Sequence, residues 1–302
     1  MKKKKPLVSV IMPVYNAGFF LRQAIESILN QTYPHFELII IDDASTDHSW
    51  PIISQFKKQN PGKIKVIRLK TGLKCGGDAA ANLGFQKAKG QLIARMDADD
   101  LSLPQRLEKQ VNYLQKHPDV FMVGSCAWVI DQTGQIVGQK NVPLTHKEIY
   151  QHYSIFHPMI HPSVMIRKSA VKRKNLYKIK YSANNDLLTF FEFLKTKKFV
   201  NLPEKLVCYR IHGQNDSLTK IKEKYFNTLK IRILAGRKYG YRPPVKAVVL
   251  NLVQLVTVSL LPEKLIFLTY MLAKGIYSYK ELGESFLLTF QPLSLKLKLK
   301  NA

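Results

Sequence analysis

The sequence predicts an α/β fold, a mostly parallel central sheet flanked by helices and followed by a helical C-terminal extension. Three observations predict it. Short apolar runs alternate with amphipathic stretches over the first 116 residues, acidic clusters close two of those runs, and from about Lys220 the chain reads as helical, basic and free of clustered acids. Short apolar strands joined by helical crossovers imply a parallel sheet covered on both faces.

Residues 7–14 (LVSVIMPV) read as a buried strand. Asn16 is placed to cap the helix that follows, where Leu21, Ala24, Ile25, Ile28 and Leu29 form one apolar stripe. Residues 36–41 (FELIII) read as a second strand ending at Asp42-Asp43, residues 49–59 as a helix stopped by Asn60-Pro61-Gly62, and residues 63–69 as a third strand. A helix over 79–88 stopped by Gly90, a fourth strand over 91–96 and a helix opened by Pro104 complete the first half. Beyond residue 117 the pattern weakens. Strands are expected over 120–130, 135–137 and 207–211, a loop entering a strand over 157–167, and an apolar helix over 187–194. The organisation expected is a catalytic domain over 1–220, with halves near 1–116 and 117–220, and a tail over 221–302.

The 302 residues carry 47 Lys+Arg against 21 Asp+Glu, a net charge of +26. The tail holds 14 basic residues against 4 Glu, so +10 lies there and +16 in residues 1–220. Such a charge suits nucleic acid, anionic lipid or phosphate-bearing substrates. A nucleic-acid binder would show a basic helix or an aromatic-studded basic sheet; neither is present, so no nucleic-acid partner is expected. Cys75, Cys126 and Cys208 have no metal-ligand spacing and no even count, which fits a reducing compartment. The leader Met-Lys-Lys-Lys-Lys-Pro precedes an apolar run too short for a signal peptide, and the chain is expected in the cytoplasm. In the tail, Ala247–Leu261 is free of charge and Leu265–Ala273 is apolar again, while Lys246, Lys264, Lys274, Lys280 and the closing LSLKLKLKNA are basic. Each run falls short of the roughly 20 residues that span a bilayer. The pair reads equally as two core helices or as a hairpin lying peripherally on an anionic leaflet.

In parallel sheets ligands bind beyond the carboxyl ends of the strands. Asp42-Asp43 and Asp97–Asp100 both sit there and are expected to face one crevice. Two carboxylates one residue apart, Asp97 and Asp99, suit a hard divalent cation, Mg²⁺ or Mn²⁺, that neutralises a diphosphate leaving group. The same pairs also occur in turns and helix caps.

The segments VSVIMPVYNAGFFLRQAIESILNQTYPHFELIIIDDASTD and GLKCGGDAAANLGFQKAKGQLIARMDADDLSLPQRLEKQ resemble family 2 glycosyltransferases of the GT-A fold, as do HPSVMIRKSAV and NLPEKLVCYRIHGQNDS. The likeness covers about residues 7–217 in consistent order. It implies an inverting, metal-dependent transfer of a sugar from a nucleotide-diphosphate donor to a glycan or lipid-linked acceptor in cell-surface polysaccharide synthesis. By this resemblance Pro13, Val14 and Tyr15 line the nucleotide base, Asp43 reads it, Asp97 lies near the ribose and Asp99 ligates the metal. Arg95 contacts donor phosphate or sugar, or else pairs with Asp99 or Asp100. Asp186 corresponds to the second acid of the family's catalytic pair and is expected to take the acceptor proton, although an Asp there also suits a helix cap. Asn185 replaces the first acid. His212 resembles a third metal ligand or diphosphate contact, and His161 an acceptor-side residue. Lys70, Lys74 and the Gly76-Gly77 turn are placed to close over the donor. Ala81 stands where many members carry Arg, with Asn82 retained. Transfer onto a polyprenyl phosphate at the membrane is an alternative within the class. A non-catalytic scaffold is disfavoured by the intact Asp43, Asp97, Asp99 and Asp186, and processive synthesis by the absence of spanning helices and of a Gln-x-x-Arg-Trp segment.

Overall fold

The computed structural model describes residues 5–73, 77–212, 220–262 and 265–266. Its sheet runs in the order β3 (Ile64–Arg68), β2 (Phe36–Asp42), β1 (Val8–Val14), β4 (Leu92–Arg95), β8 (Met165–Arg167), β6 (Val120–Ile130), β9 (Lys198–Arg210) and β5 (Leu101–Ser102), with β7 (Ile136–Lys140) paired to β6. The first four strands, β1, β2, β3 and β4, are mutually parallel. Between them run α1 (Gly18–Leu29), α2 (Ser49–Gln59) and α3 (Gly77–Lys87), and α4 (Arg106–Lys116) follows β4.

Every residue of β1 and β2 is buried because helices cover both faces of the sheet. Side chains alternate between the faces. Ile39 and Ile41 pack with Ala81 and Phe85 of α3, whereas Leu38 and Ile40 pack with Leu21, Ile25, Ile53 and Leu107 of α1, α2 and α4. Gly84 lets α3 lie close on the sheet: a Cβ there would sit 2.7 Å from Ile11 Cγ2 and 2.8 Å from Ile41 Cδ1.

The second half mixes directions. Strand β8 (Met165–Arg167) runs antiparallel to both β4 and β6 (Val120–Ile130), while β9 (Lys198–Arg210) runs parallel to β6. The short β5 (Leu101–Ser102) and β7 (Ile136–Lys140) pair antiparallel to β9 and β6. Strand β9 is longer than the 207–211 expected. Pro203, Glu204 and Lys205 break the apolar pattern, and register shifts against β6 near Ser125–Ala127 absorb that break. Helix α5 (His146–His152) is too short to show a periodic stripe, yet Thr145 and Glu148 form a reciprocal capping box at its start. The cap of α1 differs from expectation. Ala17, not Asn16, precedes the helix, and Asn16 takes a left-handed φ of 47°.

Helix α6 (Asn185–Leu194) follows Asn184, and α7 (Ile221–Tyr239) packs against it. Asn184 Nδ2 donates to Lys224 O (2.9 Å) and Thr228 Oγ1 (2.8 Å), and Ile231 and Ala235 join the core that contains Phe190 and Phe191. After Gly240 (φ 66°) the chain turns into α8 (Val245–Leu260), which packs on α7. Among the described residues no helix is long and apolar enough to cross a membrane. Lys74, Cys75, Gly76, Lys264, Lys274, Lys280, the closing LSLKLKLKNA and, beyond Ile266, the Leu265–Ala273 run lie outside the described residues.

Candidate active site

Strands β2, β1 and β4 are neighbours and parallel, so their carboxyl ends open on one crevice. Its floor is made by two interlocked loops. Asn16 Oδ1 accepts from Thr46 N (2.8 Å), Asn16 N donates to Ser45 Oγ (3.1 Å), and Asp47 Oδ2 accepts from Gly18 N (2.8 Å). Asn16 and Ala44 both hold positive φ, at 47° and 59°, so the crossing of these loops fixes the backbone there.

The acidic residues divide. Asp42 is fully buried and accepts from Ser45 N (3.0 Å), and Asp100 is buried and accepts from Arg210 N (2.7 Å). These two do not face the crevice as expected; they brace the loops behind it. Burial drives the Asp100 carboxyl well above its usual range, with Asp99 adding repulsion. Asp97 and Asp99 keep 30% and 28% of their side chains exposed. Asp43 accepts from Leu73 N (2.9 Å), and burial raises its carboxyl above the ordinary value. Pro13 is buried in β1, and Tyr15 beyond it is exposed.

Arg95, at the end of β4, pairs with Asp97 rather than with Asp99 or Asp100: its Nε donates to Asp97 Oδ1 at 2.8 Å. Burial alone would raise the Asp97 carboxyl, but the Arg95 guanidinium outweighs it and holds Asp97 below its usual range. Arg95 Nη1 also donates to Gly77 O (3.3 Å) and lies 3.8 Å from Asp78 Oδ1. Gly77 leaves room for the guanidinium: a Cβ there would stand 2.8 Å from Arg95 Nη2. From beneath, the fully buried Arg106 donates to the Arg95 carbonyl (2.7 Å). Its burial pulls the guanidinium down to about 9.

Asp99 Oδ2 lies 3.0 Å from His212 Nε2, and the His212 ring packs on Phe20 at 4.8 Å. The pair brings one carboxylate oxygen and one imidazole nitrogen together beside Asp97, an oxygen-and-nitrogen set that suits Mn²⁺. Among the described residues no group of three His, Cys, Asp or Glu is already gathered around one point.

Asp186 lies in the first turn of α6, after Asn184, so it is not the cap residue. Its Oδ1 accepts from Leu187 N (2.8 Å), and its Oδ2 lies 3.1 Å from His157 Nε2 and 3.7 Å from His161 Nδ1. Burial would raise this carboxyl, but His157 and then His161 outweigh it and hold Asp186 far below the carboxylate range. His161 Nε2 lies within hydrogen-bond distance of Tyr177 Oη (2.7 Å), and its Nδ1 faces Asp186. Burial, reinforced by Arg95, lowers His161 to about 4, so the ring is neutral at pH 7. His161 Nε2 also stands 3.9 Å from Asp78 Oδ1. Asp97, Arg95, Asp78, His161 and Asp186 therefore stand in one line of polar contacts, in which burial, reinforced by Asp186, raises the Asp78 carboxyl to about 8.

Asn82 stands apart from that line. Its buried amide both donates to and accepts from the Tyr177 backbone (2.9 and 2.8 Å), tying α3 to the segment before α6. His157, Asp78, Tyr177 and Arg106 were not among the residues expected at the site. A signal for His157 was present, because the His-Pro dipeptide recurs four residues apart in HPMIHP. Asp78 and Tyr177 carried none, since long-range packing alone brings them to His161.

A family model described as "Glycosyl transferase family 2" matches residues 9–174. An O-antigen biosynthesis glycosyltransferase of Escherichia coli, WbnJ, is 33% identical over 213 residues, covering 69% of this chain and 81% of that protein. Two solved structures share the fold at low identity. The chain superposes on S. aureus TarS in complex with UDP-GlcNAc with a TM-score of 0.61 at 17% identity, over 76% of this chain and 66% of that one. It superposes on the mannosyltransferase PcManGT of Pyrobaculum calidifontis, in complex with GDP-Man and Mn²⁺, with a TM-score of 0.57 at 15% identity, over 91% and 85%.

Proposed function

The chain belongs to glycosyltransferase family 2, and from that premise we propose that it is a metal-dependent inverting enzyme of surface-polysaccharide synthesis, moving a sugar from a nucleotide-diphosphate donor to a glycan or lipid-linked hydroxyl. The observation that supports this reading is the line of contacts from Asp97 through Arg95, Asp78 and His161 to Asp186, which puts the proposed donor carboxylate and the proposed base in one site. The complexes of TarS with UDP-GlcNAc and of PcManGT with GDP-Man and Mn²⁺ support a nucleotide-sugar donor and a cation.

Tyr15 packs on the base above Pro13, Asp43 accepts from a base N–H, and Asp97 and Arg95 address ribose and diphosphate. Asp99 with His212 would hold the divalent cation, with Asp97 beside them. When bound, the cation neutralises charge on the departing diphosphate. Asp186, kept ionised by its two histidines, accepts the acceptor hydroxyl proton as the new bond to the anomeric carbon forms and the bond to the diphosphate oxygen breaks. His161 orients the base, and the missing first acid at Asn185 leaves the proton transfer to Asp186 alone. Asn185 Oδ1 instead accepts from the Lys180 and Tyr181 backbones (2.9 and 3.0 Å), shaping the approach to α6.

Residues up to about 220 constitute the catalytic unit in this reading, and α7, α8 and the remainder its C-terminal extension. The enzyme works in the cytoplasm at the membrane face, where lipid-linked acceptors lie. Donor hydrolysis across a panel of nucleotide sugars, with and without Mn²⁺, tests the proposal. One nucleotide sugar turned over only with the cation is the expected result, and no hydrolysis or transfer of any donor under either condition rejects it.

A further inference from the structure

Helix α8 is inside out. On a helix packed against a protein core, apolar side chains face inward and polar ones outward. Here Val245, Val249, Leu252, Val253, Val256 and Leu260 point away from the protein, and Val245, Leu252, Val256 and Leu260 are 81%, 59%, 58% and 76% exposed. At 100° per residue these six fall within about a 100° arc, a continuous stripe along the helix. The polar residue Asn251 lies on the opposite, inward side. Its Nδ2 donates to Ser154 O (2.7 Å), and its Oδ1 accepts from Arg232.

Solvated apolar stripes of this extent mark an interaction surface. The charges around it select the occupant. Between residues 224 and 262 there are seven Lys or Arg and no acid, and Arg237, Lys238, Arg242 and Lys246 are exposed around the turn that leads into the stripe. At 16 residues the helix is about 24 Å long, too short to span the hydrocarbon core. An apolar face rimmed by basic residues and too short to span fits a helix lying flat in the headgroup layer of an anionic bilayer.

We infer that α8 is a lipid-docking helix, seating the protein on anionic membranes through the Val245–Leu260 stripe. The stripe lies on the outer side of the α7–α8 pair: α8 packs on α7, and α7 is tied to Asn184 at the start of α6. Lipid docking uses no property of the donor site, so vesicle binding and sugar transfer succeed or fail independently.

The test uses the full chain and vesicles of phosphatidylcholine with and without phosphatidylglycerol. The wild type is expected to co-sediment with the anionic vesicles, and the double substitution Leu252→Glu, Val256→Glu to weaken that binding at least about tenfold. The control Ile136→Glu, on the exposed β7, leaves binding unchanged, and an unaltered melting temperature confirms that each variant is folded. In a Val253→Trp variant, the emission gained over the wild type shifts to the blue only on adding vesicles, and brominated acyl chains quench it. Three results overturn the inference. The first is binding that the double substitution does not reduce, which assigns it to basic residues alone. The second is self-association abolished by the double substitution without vesicle binding, which makes a second copy the occupant. The third is emission from the introduced indole that is already blue-shifted in buffer and unmoved by vesicles, which makes residues 267–302 the cover.

Discussion

His157 Nε2 lies 3.1 Å from Asp186 Oδ2, while its Nδ1 accepts from the Met159 backbone N–H (3.4 Å). The backbone contact assigns the ring proton to Nε2, the nitrogen on the carboxylate side of the ring. A positioned general base contributes about 10²–10⁴ in rate. Asp186→Asn should therefore lower kcat by at least about 100-fold while leaving donor KM within a factor of a few. His157→Ala removes the largest influence holding the Asp186 carboxyl down, so its pKa rises and the acidic limb of the kcat/KM profile moves to higher pH. An unmoved acidic limb in that variant would show that His157 does not act through Asp186.

Asp99 and His212 form the candidate cation pair at 3.0 Å. Replacing either by Ala should weaken Mn²⁺ binding in the presence of nucleoside diphosphate by about tenfold or more, since losing even a group that only supports a ligand costs that much. Titration calorimetry reads it directly. Equal Mn²⁺ affinity in the wild type and both variants would remove these residues from the metal site.

Gly77 has a positional role rather than a chemical one. Its Cα faces Arg95, and an added methyl would stand 2.8 Å from Nη2. Gly77→Ala should push the guanidinium off Asp97 and raise donor KM several-fold, with the melting temperature little changed because the clash meets a movable side-chain end. A large stability loss with normal KM would place the role of Gly77 in the fold instead.

The His161 ring titrates at about 4 in the folded protein and near 6.5 when unfolded. Between these values the unfolded chain binds the extra proton, so folding stability falls as pH drops from 6.5 to 4, by up to roughly 3 kcal/mol from this group. His161→Gln should flatten that part of the stability curve relative to the wild type. Denaturant unfolding at pH 7, 5.5 and 4.5 makes the comparison, and parallel curves would refute the assignment.

The parallel half of the fold was legible in the sequence because its strands are buried on both faces. Full burial demands continuous apolar runs such as VSVIMPV and FELIII, and each ends where the chain must leave the core for a polar turn. Asp97 and Asp99 were singled out for the same local reason, as carboxylates at an element end, whereas Asp186 was singled out only by the family resemblance. The second half was less so. Strand β9 passes through Pro203-Glu204-Lys205, which a local pattern reads as a break, and only pairing with β6 keeps it a strand. Tertiary structure alone decided which acids face the crevice, turning Asp42 and Asp100 inward and leaving Asp97 and Asp99 outward. It also decided the partners. Arg95 reaches Asp97, while Asp78, His157, His161 and Tyr177, spread over about a hundred residues, converge on one buried network. Local sequence encodes burial and chain direction, whereas electrostatic partnership depends on through-space distances that no local pattern records.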